Sequence, residues 1–179
     1  IYDVLPLHIC HIAAISMGLY VFTKIKFFFE VGYFFGLSGN FLAIITPDLD
    51  FSFPDAEYIT YYFGHGLLLL CVIYACVCTK VQLTWWSVLR VLLFAVCLLP
   101  IIYGLNIYIS QFFKGVNYWY LMITPAANTL LDIFPSPPMH IPYLALLTVI
   151  IFTLIYLPFK YLNKNSYLNF NDKLTFIKL

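Results

Sequence analysis

Charge is what this chain has least of. Only 9% of its 179 residues are Asp, Glu, Lys or Arg, against about 25% in a soluble domain. The nine Lys and Arg residues are scattered and the formal net charge is +1, so the basic stripe that nucleic acid requires is missing. No CxxC pair and no HExxH stretch occurs, and with them go the commonest zinc signatures. Alternating apolar and polar runs, the mark of a lipid-facing barrel, are also missing. There is no internal repeat, no Pro/Gly-rich linker and no second domain. A secreted disulfide scaffold, a coiled coil and a disordered chain fail on the same composition.

What is there is apolar: 63% hydrophobic and 20% aromatic residues, with a mean hydropathy of +0.93. A folded body of this size cannot hide so much apolar surface from water, so its solvent is lipid. Five apolar runs are long enough to cross a hydrocarbon core of about 30 Å. They are placed at 5–22, 27–46, 58–79, 88–112 and 142–161. Backbone groups in lipid must pair within their own segment, which selects helices. The fold class is therefore all-α, a polytopic transmembrane bundle over 1–162 followed by a polar, frayed tail over 163–179. The chain opens at Ile1 without an initiator Met or a charged leader, and at least one further N-terminal helix is expected before it.

Lys and Arg beside short loops set the orientation. Lys24, Lys26, Lys80, Arg90, Lys160, Lys164, Lys173 and Lys178 fall on one side, which is read as cytoplasmic. Asp3, the acidic loop with Asp48, Asp50, Asp55 and Glu57, and a long 113–141 connection with Lys114 and Asp132 fall on the other. That connection holds Asn117, Tyr118, Trp119, Tyr120, Pro125 and Asn128 beside Leu121, Met122, Leu130 and Leu131. It is too long for a turn and is expected to form a cap or an aromatic platform over the outer face.

Polar side chains at membrane depth are costly and invite a functional reading. Glu30 and Arg90 lie near the cytoplasmic ends, where snorkelling or mutual pairing accounts for them. Cys10, Asn40, His65 and Asn106, from four different spans, share a depth of roughly 7–11 Å below the outer surface. One outward-facing pocket would join them. A thiolate is a strong nucleophile and a neighbouring imidazole can activate it. Cys10 with His65 makes that pair, and Asn40 and Asn106 could orient the imidazole or donate to an oxyanion. His11 and His8 stand about 100° and 160° around the helix from Cys10, so His65 is the better base.

His8 and His11 share a face of their own. With Asn117, Tyr118 and Arg90 they are the candidate substrate-binding residues. His140, after Pro137-Pro138, reads as solvated. Glycines 32, 36 and 39 read as close helix packing, Cys71, Cys76, Cys78 and Cys97 as packing residues, and most Tyr and Trp as interfacial belts. A metal site of His8, Cys10, His11 and His65 is the alternative from another class, although the helix-1 donors radiate in different directions. A non-catalytic lipid-binding module is a further one. No cofactor is expected.

Leu5-Pro6-Leu7-His8-Ile9-Cys10 opening a helix resembles the signature of the YwaF-like bacterial integral membrane proteins. Gly36-Leu-Ser-Gly39 before Thr46-Pro47-Asp48, Gly64-His65-Gly66, Thr84-Trp85 to Leu89-Arg90, Gly115-Val-Asn117-Tyr118 and Leu157-Pro158-Phe159 extend the likeness from residue 3 to about 160. Gly64 stands where relatives often carry Ser, and His11 where they often carry an acidic or small residue. Eukaryotic relatives of that family include a cysteine-dependent membrane acyltransferase of ether phospholipid synthesis. The resemblance implies Cys10 as the acyl-accepting nucleophile, His65 as its base, phospholipid or lyso-lipid donors and acceptors as partners, and a multi-pass protein of a bacterial plasma membrane.

The charge bias makes a topological prediction. In a chain with its native cysteines replaced, a Ser52→Cys variant should react with an impermeant maleimide in intact cells, whereas Asn171→Cys should react only after lysis. The opposite labelling pattern would invert the topology.

Overall fold

The computed structural model describes residues 5–49, 51–79, 81–124 and 130–176, with side chains to Tyr161 apart from those of residues 130 and 131. Asp3, Asp50, Lys80, Pro125, Asn128, the side chains of Leu130 and Leu131 and those of the 162–179 tail lie outside the described residues. Five α-helices follow one another: α1 (Ile9–Thr23), α2 (Lys26–Ile45), α3 (Ala56–Cys78), α4 (Trp85–Ile109) and α5 (Ile141–Phe176). No strand occurs among the described residues.

The last four are long and apolar enough to cross a membrane, and all their starts, with the ends of α2, α3 and α4, fall within a few residues of the expected ones. Local chemistry sets several of these ends. The Asp55 carboxylate accepts from the Glu57 N–H at 2.8 Å and caps α3. Thr84 and Ser87 cap each other's backbone at the start of α4. Lys24 takes a left-handed conformation, φ 57°, that closes α1 with an N–H bond to the Tyr20 carbonyl.

Two boundaries differ from expectation. Helix α1 begins at Ile9 rather than at residue 5 and has 15 residues, about 22 Å of rise. The apolar Leu5-Pro6-Leu7 stretch is instead a turn whose backbone is bound by the 118–119 segment. At the other end α5 does not stop at 161. Its backbone stays helical to Phe176, through the segment expected to fray, because no glycine or proline interrupts it after Pro158.

Helix α2 is the hub. Half of its membrane window is buried, and it touches each of the other four helices. Its glycines bring α1 close: a Cβ on Gly32 would collide with the Met17 side chain, and one on Gly39 would meet Ile9. Gly36 lies between Ala13 of α1 and Val72 of α3. The helices alternate up and down, so α1, α3 and α5 begin at the end where α2 and α4 finish. Around α2 packs a core that includes Phe29, Phe34, Phe35, Val88 and Phe152.

At the Lys26 end of the bundle Glu30 is fully buried. One carboxylate oxygen accepts from Ser87 Oγ at 2.7 Å and from the Arg90 guanidinium at 2.6 Å, with Lys26 Nζ at 3.7 Å. Mutual pairing, not snorkelling, holds the two charges. Arg90→Leu should therefore lower the Tm of the detergent-solubilised protein, by less than the roughly 3–5 kcal/mol of a fully buried pair, because Arg90 is half exposed and Lys26 stays beside Glu30. Adding Glu30→Leu should restore most of the loss, because an apolar pair is close to neutral there. A double variant less stable than Arg90→Leu would refute this assignment.

Candidate functional site

The end opposite to Glu30 and Arg90 holds two polar groupings. The first lies at the junction of α1, α2 and α3. His65 is half-buried on α3, and its Nδ1 sits 2.8 Å from the Tyr61 carbonyl one turn earlier. A carbonyl oxygen can only accept, so Nδ1 carries the proton and Nε2 presents its lone pair. The Tyr61 ring lies against the imidazole with centroids 4.2 Å apart. The same tyrosine directs its hydroxyl to the Ala43 carbonyl at 3.1 Å, within electrostatic reach of Cys10 and Asp48. Tyr61 thus ties His65 on α3 to the end of α2, with Cys10 of α1 in its neighbourhood.

Asn40 completes this grouping. It is fully buried, and neither its Oδ1 nor its Nδ2 has a hydrogen-bond partner among the described residues. It follows Gly39, which meets Ile9, and stands one turn beyond Gly36, which faces both Ala13 and Val72. Residues four apart share a helix face, so Asn40 occupies the three-helix junction at the level of the first turn of α1. A buried amide without partners costs about 1–3 kcal/mol for each unsatisfied group.

The second grouping ties the long connection to the helix ends. Asn106, fully buried on α4, holds the main chain of Tyr118 at both sides: Nδ2 donates to the Tyr118 carbonyl at 2.9 Å and Oδ1 accepts from the Tyr118 N–H at 2.8 Å. Asn117 folds the next turn, accepting from the Met122 N–H at 3.0 Å and donating to the Ile123 carbonyl at 2.6 Å. The Tyr118 hydroxyl accepts from the Leu5 N–H at 2.7 Å, and Trp119 Nε1 donates to the Leu7 carbonyl at 2.9 Å. These bonds hold Trp119 and Tyr120 in left-handed conformations, φ 61° and 53°, which L residues adopt at a cost of about 1–2 kcal/mol each.

His8 belongs to this second grouping. Its ring stands 5.1 Å from that of Tyr118, 6.1 Å from that of Tyr120 and 6.0 Å from that of His11. His140 does too, and it departs from expectation. It is fully buried rather than solvated, with Nε2 at 2.8 Å from the Tyr120 carbonyl. The 113–124 segment is thus a strap fastened to α1, α4 and the start of α5, with Tyr118 itself 1% exposed.

Of the residues read from the sequence, His65 touches Tyr61, and Cys10 and Asn40 belong to the two helices that join α3 at this junction, while Asn106, Asn117, Tyr118, His8 and His11 gather at the strap. Arg90 lies with Glu30 at the far end, ten residues from Asn40 along α2, or about 15 Å. Tyr61 was missed because tyrosines near a helix end read as interfacial belt. Its spacing from His65, i and i+4, is the signal that could have found it. Among the described residues no three His, Cys, Asp or Glu side chains form a group that could hold a metal ion. Of the other thiols, Cys71, Cys78 and Cys97 are exposed on helix surfaces and Cys76 is half-buried.

Apolar helices of spanning length with charged residues at their ends define a polytopic α-helical membrane protein. Its family is shown as well: a match to the TMEM164 family spans residues 1–156, and the chain belongs to that family. Comparison with curated proteins and with solved structures gives no match.

The strap yields a direct test. Asn106→Leu keeps the volume and removes both bonds to Tyr118, leaving two main-chain groups unpaired at about 1–3 kcal/mol each. Amide hydrogen exchange at Tyr118 and Trp119 should then speed up while that of α2 stays unchanged. Unaltered exchange in the strap would show that Asn106 does not hold it.

Proposed function

We propose that this membrane protein is an acyltransferase that moves a fatty acyl chain between lipids through a thioester on Cys10. The observation that carries the reading is the 2.8 Å contact of His65 Nδ1 with the Tyr61 carbonyl, which fixes the tautomer of the imidazole on a helix that packs against the one bearing Cys10. A histidine whose Nδ1 proton is held by a main-chain carbonyl has its basic nitrogen free for a thiol proton. The likeness of Leu5–Cys10 and Gly64–Gly66 to the YwaF-like proteins, and through them to a cysteine-dependent acyltransferase, supports the same roles.

The chemistry runs in two balanced halves. His65 Nε2 takes the thiol proton, and the Cys10 sulfur attacks the ester carbonyl of a phospholipid. The sulfur–carbon bond forms, the ester carbon–oxygen bond breaks, and the departing lyso-lipid oxygen takes the proton from the imidazolium. In the second half a lyso-lipid hydroxyl gives its proton to His65 and attacks the thioester. The new ester forms, and the thiolate leaves and recovers the proton. Each half passes through an oxyanion, for which the unpartnered Nδ2 of Asn40 is the available donor. Asn106, with its amide engaged by Tyr118, acts on this reading through the strap. His8, His11, Asn117 and Tyr118 would line the outer approach for a lipid headgroup, and Arg90 would meet headgroups of the other leaflet.

Protein reconstituted with phosphatidylcholine vesicles should acquire a hydroxylamine-labile acyl adduct on Cys10, seen by intact-protein mass spectrometry. Cys10→Ala should give none. His65→Ala should slow its formation by about 10²- to 10⁴-fold, the range of a lost general base, and Cys97→Ala should leave it unchanged. Full acyl transfer by Cys10→Ala would refute the reading.

A further inference from the structure

Between α1 and α3 runs an open apolar groove of about 400 Å³. Ala14, Gly18 and Val21 line one wall and Gly64, Leu68 and Cys71 the other, with the buried Met17 as floor. Two features separate it from an ordinary lipid-facing surface. The first is its width. A Cβ added to Gly18 or Gly64 would meet nothing within 4 Å, unlike the glycines of α2, so these two residues open a space instead of closing a helix contact. The second is its alignment. Cys10, Ala14, Gly18 and Val21 follow the i, i+4, i+8, i+11 stripe of one helix face, and Tyr61, Gly64, Leu68 and Cys71 follow the matching stripe of α3. Both helices start at the same end, so the two stripes run side by side.

The groove is therefore the continuation of the Cys10–Tyr61–His65 grouping into the membrane. Seven residues of each helix give it a length of about 10 Å, some two thirds of one leaflet's ~15 Å of hydrocarbon. Behind that grouping lies Asn40 of α2, buried at the three-helix junction with both amide atoms unpartnered among the described residues. A slot that is apolar along its length, opens to lipid at its side and points along two helix faces towards a thiol and the tyrosine that holds an imidazole fits one kind of occupant.

Building on the acyl-transfer reading, we infer that the α1–α3 groove holds the acyl chain being transferred, with its carbonyl at Cys10 and its methylenes along Gly18 and Gly64. Gly18 then limits chain length, since it lies eight residues, about 12 Å, beyond Cys10. A leucine there would fill the slot below its midpoint and spare the reacting end.

The test compares adduct formation on Cys10 from dioleoyl and dihexanoyl phosphatidylcholine. Gly18→Leu should reduce the oleoyl adduct about tenfold, the scale on which apolar pockets discriminate, and leave the hexanoyl adduct unchanged. Equal effects on both donors, or none, would overturn the groove assignment while the thioester reading stands. If wild-type protein forms no adduct with either donor, the thioester reading fails, and the groove is then judged without catalysis. For that purpose the Cys10→Ala protein is irradiated with a phosphatidylcholine bearing a mid-chain diazirine. Cross-links concentrated on 14–21 and 64–71, and lost in Gly18→Leu, would support the groove. Cross-links spread evenly over all helix faces would overturn it. So would efficient oxidative coupling of two chains through Cys71, which would make the groove a contact with a second copy.

Discussion

Close approach of α1 to α2 is the constraint on which the rest depends. Helix α1 has 15 residues and cannot by itself match the hydrocarbon thickness. It keeps its place because Gly32, Gly36 and Gly39 present bare backbone to Met17, Ala13 and Ile9. In lipid no hydrophobic force drives helices together, and packing at short range takes its place. Helix α2 is accordingly half buried, whereas the membrane windows of α3, α4 and α5 are buried by only 11%, 17% and 6%. The bundle is organised around one helix, and the first turn of α1, which carries Cys10, is set against it by Ile9 on Gly39.

The same hub separates two kinds of polar chemistry. At one end Glu30 is buried but answered by Ser87 and Arg90, a charge pair that fixes how α2 and α4 meet. At the other end the junction holds Asn40 with no answering group among the described residues. In the first arrangement one Glu30 oxygen is answered and the other has no partner among the described residues. In the second neither amide atom of Asn40 has one, the kind of local conflict that functional sites retain.

Much of the architecture was legible in the sequence because lipid imposes a single rule on every span. The starts of α2 to α5 and the ends of α2, α3 and α4 could be placed to within a few residues from apolarity alone. The start of α1 could not, since Leu5 and Leu7 are as apolar as the helix, and their backbone is bound by residues more than a hundred positions away. Matched depth selected Cys10, His65 and Asn40 as one grouping, and the glycines of α2 announced the tight packing. Depth says nothing about azimuth, however. Asn106 shares the level and belongs to the strap, where its partner is a main chain that no periodicity reveals. His140 reads as a loop residue and is buried, because the strap folds over it. Tyr61 hid among 15 tyrosines.

The strap also bears on the order of assembly. Leu5 and Leu7 precede their partners Tyr118 and Trp119 by 113 and 112 residues, with α2, α3 and α4 lying between. A chain made from its amino end threads these helices into the bilayer before residue 118 exists. The turn that launches α1 is thus the earliest of these segments to be synthesised and the last to be fastened. Until then the helix bearing Cys10 is held by its packing on α2 and α3, and the nascent bundle is unlatched at the end opposite to Glu30.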